Sequence, residues 1–164
     1  MKAKPIKPNK DQESVWDYPR PPKLEPVKNT LIVKHQGKTI ASTAKGFRVL
    51  ETSHPPVYYF PPQDVDFNQL ITSDLTTFCE FKGRGGYYHL KTSNGVAKNV
   101  AWFYTSPVSS FAAIKDYIAF YANKVDECWV GEEQVKPQAG NFYGGWITQK
   151  IVGPFKGEPG TWGW

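Results

Sequence analysis

Sulfur and imidazole are scarce in this chain: two cysteines, three histidines and one methionine among 164 residues. Cys79 and Cys128 form no CxxC pair, and His35, His54 and His89 are scattered. A structural zinc site needs about four closely spaced ligands, so no metal and no cofactor is expected. Long apolar runs are missing as well. None approaches the roughly 18 residues of a membrane-crossing helix, so no membrane partner is expected. The N-terminal stretch lacks the apolar core of a secretory signal, which predicts a cytoplasmic protein with two reduced thiols.

Negative charge is short too, but unevenly. The formal net charge is +5, and residues 1–28 hold seven Lys or Arg against four Asp or Glu, so they carry +3 of it. A solubilising, Pro- and Lys-rich leader, partly extended or disordered, accounts for that excess. The remainder of the chain is too weakly basic to predict a nucleic-acid partner. Within the leader, Ser14 to Pro22 holds a Trp and a Tyr beside three prolines and reads as an extended strap across the domain.

Aromatic residues, glycine and proline are abundant: 15% Phe, Trp and Tyr, with fourteen Gly and fourteen Pro. Such punctuation favours short strands and tight turns. Leu31 to Ser42 reads as a hairpin turning at Gln36–Gly37, and Phe47 to Thr52 as a strand. Two Pro-Pro pairs bracket Val57–Phe60, a short strand entered and left abruptly. Gln63 to Leu70 suggests one helical turn. Thr76–Gly83, Tyr87–Thr92 and Val100–Thr105 read as a meander, turning at Gly83–Gly86 and at Ser93–Gly95. Pro107 to Ile118 is the best helix, with Ser109 or Ser110 as its cap. Two strands around Ala122–Asn123 and one at Gly145–Ile151 complete the pattern. The expectation is a mainly β fold: a leader over 1–28 and a single compact domain over 29–164. Short antiparallel strands would form tent-like or barrel-like bent sheets with one or two short helices.

Several strings run in a fixed order: VWDYPRPP, RVLETSHPPVYYFPP, TFCEFKG, AWFY, IAFY and FYGGWIT…IVGPFKGEPGT. In these the chain resembles the domain of unknown function 427 family over about residues 14 to 162. The resemblance implies a mostly antiparallel β domain, similar to the tent-shaped sheets of the methionine-sulfoxide reductase B and cereblon ligand-binding groups. The paired cysteines of those zinc-bearing relatives are missing, so no zinc site carries over. The family also bears a nucleotidyltransferase label. That class typically uses a Gly-Ser strand–helix step and close carboxylates that bind two metals. No such step occurs here, and the nearest acidic pair, Asp64 and Asp66, falls on an expected surface turn.

Glu51 and His54 form the polar start of the ETSHPP string, where the following prolines stiffen the backbone. They are the candidate catalytic pair, His54 as acid or base oriented by Glu51. A Cys79–His54 pairing would allow nucleophilic chemistry, although a buried free Cys is ordinary core. Strand alternation puts Cys79 with Phe81 on one face and Glu80 with Lys82 on the other. Tyr58, Glu80, Lys82, Trp102, Tyr104, Tyr143 and Trp146 are the candidate ligand-binding residues, with Gly144–Gly145 allowing close backbone approach. Aromatic walls with a few polar groups describe a pocket for a small molecule or a modified side chain. An acid–base enzyme and a nucleic-acid or protein interaction module are the alternatives, and the oligomeric state is left open.

Overall fold

The structure, a computed structural model, describes residues 2–80, 82–140 and 142–164. Phe81, expected beside Cys79, and Asn141 of the NFYGGW segment lie outside them. The chain opens with β1 (Glu13–Ser14), β2 (Lys23–Pro26), β3 (Leu31–His35), β4 (Lys38–Thr43), β5 (Phe47–Leu50) and β6 (Val57–Tyr59). Three long strands follow: β7 (Leu70–Cys79), β8 (Gly83–Thr92) and β9 (Gly95–Tyr104). After these come β10 (Ile118–Phe120), β11 (Glu127–Val130), β12 (Glu133–Gln134), β13 (Lys136–Pro137), β14 (Trp146–Ile147) and β15 (Ile151–Val152).

The fold is mainly β, as its turn-rich composition requires, and the sheets are open rather than closed into a barrel. Two four-stranded sheets, β10-β9-β8-β7 and β12-β11-β3-β4, are accompanied by the three-stranded β2-β5-β6 and two small pairs, β13-β14 and parallel β1-β15. The β3–β4 hairpin turns through Gln36 and Gly37, both at positive φ (50° and 75°). That is the twist-matched two-residue geometry for which glycine is favoured. The interior divides into a mixed aliphatic and aromatic cluster around Phe60, Phe120 and Trp146, a second around Tyr59, Trp102, Tyr104, Phe111 and Ile114, and a small third of Val15, Tyr18, Leu50 and Ile151. Residues 13–26 pack against this body: Val15 is fully buried, Tyr18 nearly so, and β2 pairs with β5.

Three local expectations are corrected. Gly83–Gly86 is not a turn but the start of β8, and the reversal falls at residues 80–82. The glycines serve packing instead: a Cβ on Gly86 would sit 2.6 Å from the Phe103 ring, and one on Gly85 2.9 Å from the Phe103 carbonyl. Because β7 ends at Cys79, the two-residue alternation does not continue through Glu80 and Lys82. The segment after Pro107 forms a 3-10 helix, Ser109–Ile114, and Gln63 to Leu70 holds parts of two shorter ones, Pro62–Asp64 and Phe67–Gln69. The cap position of the first is Val108, with no side-chain hydrogen bond, rather than a serine. The C-terminal strand expected at 145–151 resolves into β14 and β15. Among the described residues no helix is long and apolar enough to cross a membrane.

Candidate functional site

Two concave regions hold most of the polar chemistry, and they differ in whether that chemistry is already spent. The first, about 610 Å³, lies between the N-terminal segment and β5, over Arg48. Arg48 Nη1 donates to Glu13 Oε1 at 2.6 Å and Nη2 to Glu25 Oε1 at 2.7 Å. Tyr18 in turn donates its hydroxyl to Glu13 at 2.6 Å. Burial pushes the Glu13 carboxyl upward, but the bonds from Arg48 and Tyr18 outweigh it and hold the group below its ordinary range. Arg48, Glu13, Glu25 and Tyr18 are thus bonded to one another, and the assembly ties residues 13–26 to the sheet.

The second, about 340 Å³, is the unfilled end of the Tyr59–Trp102 core cluster. This is near the lower bound for a small-molecule site. Its lining brings together six of the nine residues expected from sequence: Glu51, His54, Lys82, Trp102, Tyr104 and Tyr143. The other three lie elsewhere. Tyr58 is cross-strand to Arg48 and lines the first region, because successive residues of a strand face opposite sides. Trp146 is core, its Nε1 donating to the Phe120 carbonyl at 3.0 Å and its ring 5.1 Å from that of Tyr58. Glu80 is exposed on the reversal between β7 and β8 and is not part of the lining.

Cys79, weighed from sequence only as a partner for His54, lines the cleft, as do Tyr59, Tyr87 and Tyr121, which sequence did not single out as ligand-binding residues. Strand parity was the available signal: Tyr59 pairs with Phe47 opposite the Arg48 face. Burial drives the Tyr59, Tyr104 and Tyr121 hydroxyls well above the ordinary phenol range, so they remain protonated donors. Tyr59 is only 1% exposed and still reaches the lining. Trp102 is the central wall, with its ring 4.5 Å from Tyr121 and 6.4 Å from Tyr59. Gly144 is glycine for a steric reason: a Cβ there would stand 2.1 Å from the tip of the Trp102 indole.

His54 is held by its own loop. Ser53, fully buried, takes a left-handed backbone (φ 72°), a strained choice for a residue with a side chain. Ser53 N–H donates to the Val15 carbonyl and its own carbonyl accepts from Lys156 N–H, so both ends of the chain fix it. The Thr52 carbonyl lies 2.9 Å from His54 Nδ1. A carbonyl can only accept, so Nδ1 carries the proton and the neutral ring presents Nε2 as the lone pair. The orienting partner is therefore Thr52. Glu51 instead faces Arg20, with its carboxylate 4.0 Å from Arg20 Nε. Burial is the main cause of a lowered His54 pKa, so the ring is neutral around pH 7.

Asp64 and Asp66, the acidic pair nearest to a two-metal arrangement, have local duties. Asp64 accepts from Thr43 Oγ1 at 2.7 Å, and Asp66 caps the Phe67–Gln69 helix through Asn68 N–H. Residues 23–131 match the family described as domain of unknown function (DUF427). The match contains the ETSHPP and CEFKG strings and most of the cleft lining, and it stops before Gln138, Phe142, Tyr143 and Gly144, which also line the cleft. No curated protein matches the chain.

Proposed function

We propose, from the premise that the chain belongs to the domain of unknown function (DUF427) family, that this domain binds a small molecule or a modified side chain in the Trp102 cleft. One observation carries the reading. The cleft gathers tyrosine hydroxyls, His54 Nε2 and the Lys82 ammonium around an aromatic wall, with the Tyr59 hydroxyl directed at Trp102 and that of Tyr121 at Tyr87. Convergent polar groups along an aromatic cavity are suited to a ligand that bonds to them.

A second reading, acid–base catalysis in the same cleft, is favoured by the tautomer of His54. With Nδ1–H donated to the Thr52 carbonyl, Nε2 is positioned to accept a proton. The test for both is one screen. Metabolites are tested for a rise in melting temperature in the wild type and in Tyr104→Phe, which deletes one hydroxyl with little change in packing. A true ligand should stabilise the wild type and bind the variant about three- to tenfold more weakly. A library with no stabilising compound, or one whose hits ignore Tyr104, removes the binding reading. A hit consumed by wild type but not by His54→Gln selects the catalytic one.

A further inference from the structure

Aromatic clefts of this kind take two opposite kinds of ligand. Cationic ammonium groups sit against ring faces, whereas flat acidic compounds stack on the rings and present their charge to a basic group. The two are separated here by which ring faces the protein already uses. Lys82 Nζ lies 5.8 Å from the centre of the Tyr104 ring, and Lys124 Nζ lies 4.5 Å from that of Tyr121. Two of the rings that would cage a cation thus already have a lysine of the chain beside them, and its charge repels a second cation.

The charged groups in and beside the cleft agree. Glu51 is matched by Arg20, and Arg20 also donates to the Thr52 carbonyl at 3.0 Å. His54 is neutral. Lys124 donates to the Asn99 carbonyl at 3.3 Å. Lys82 is different: it lines the cleft, is half-buried, and has no carboxylate partner among the described residues. With Glu51 set against Arg20, which lies outside the lining, Lys82 is the cleft ammonium left to meet an anion, beside protonated tyrosine hydroxyls that can donate to oxygen.

We infer that the cleft selects a flat ring carrying an acidic oxygen group, a carboxylate or a phosphate ester, with Lys82 as counter-ion and Trp102 as stacking wall. This rests on the binding reading above and narrows it to one charge class. Phe78 and Phe142, both strongly exposed at 78% and 79%, line the same cleft and extend its apolar rim for the ring. An ion pair in such a half-enclosed site gains more than one on open surface, because fewer waters screen it.

The experiment uses the full chain, labelled with nitrogen-15, and four matched probes: benzoate, phenyl phosphate, benzamide and benzylamine. The amide of Gly144 and the indole N–H of Trp102 report occupancy. Benzoate or phenyl phosphate should bind at least about tenfold more tightly than benzamide or benzylamine. Lys82→Gln should bring the acids down to the amide, Lys82→Arg should preserve the preference, and added salt should weaken the acids alone. Which of the two acids binds better separates a carboxylate source from a phosphate source. Preference for benzylamine or benzamide overturns the inference and leaves the binding reading standing. Acid binding that ignores Lys82→Gln also overturns it. If none of the four moves the Trp102 and Gly144 signals, both the inference and the binding reading fall.

Discussion

The two concave regions use similar chemistry for opposite ends. Over Arg48, a guanidinium, two carboxylates and a tyrosine hydroxyl are joined to one another by bonds of 2.6 to 2.9 Å. Around Trp102, hydroxyls, an imidazole and an ammonium line a cavity, with few bonds to other side chains. The first region is the wider of the two. Size is therefore the poorer guide: the two regions differ in how far their polar atoms have found partners within the chain. The clasp stabilises; the cleft leaves bonding capacity open.

Substitution can break that contrast, and the largest effect should come from the clasp. Arg48→Met strands Glu13 and Glu25 beside an apolar side chain and should cost about 2–3 kcal/mol in denaturant unfolding, below the range for a fully buried pair because both carboxylates are partly exposed. A loss under about 0.5 kcal/mol would reduce the clasp to an ordinary surface pair. Gly144→Ala should come next, at about 1–2 kcal/mol, because the new methyl must push the Trp102 ring. Unlike the first change it should also shift the indole N–H resonance of Trp102. An unmoved resonance would mean the wall is looser than its contacts suggest.

The smallest effect concerns His54 and sharpens the contrast through pH. Burial lowers its folded-state pKa below the ordinary 6.5. Both states are neutral well above that value, so His54 makes no pH-dependent contribution there. As pH falls through 6.5, the unfolded chain takes up a proton before the folded chain does, and stability is lost. His54→Asn should therefore flatten the acid side of the stability–pH curve between about pH 5 and about pH 7. Equal slopes in the two proteins would place the imidazole in a wetter setting than its loop implies.

What the sequence disclosed was what local chemistry decides. Gln36–Gly37 demands a tight hairpin, and the Pro-Pro pairs around Val57–Phe60 demand a short strand, because a turn residue or a missing N–H acts at its own position. Gly83–Gly86 misled because Gly85 and Gly86 answer to Phe103 and Gly83 to the Ser106 carbonyl, seventeen or more residues away and invisible to local reading. The same limit governed the site. ETSHPP pointed to Glu51 and His54 as residues of an unusual loop, but adjacent Tyr58 and Tyr59 look alike in sequence. Only the β5–β6 register, Arg48 with Tyr58 and Phe47 with Tyr59, decides which of them faces the cleft. Trp146 was counted as a wall for the same reason, its indole N–H having a backbone partner that no motif reveals.

The loop that carries His54 is clamped by Val15 from one side and by Lys156 from the other. On the ribosome, the N-terminal half of that clamp is made early and the other half only after residue 156 has cleared the exit tunnel. The imidazole thus reaches its final setting only after the last of the cleft-lining residues, Gly144, has been made. A chain stopped short of residue 156 would keep every cleft-lining residue yet lack the bond that seats Ser53, so it would have the parts of the cleft without their alignment.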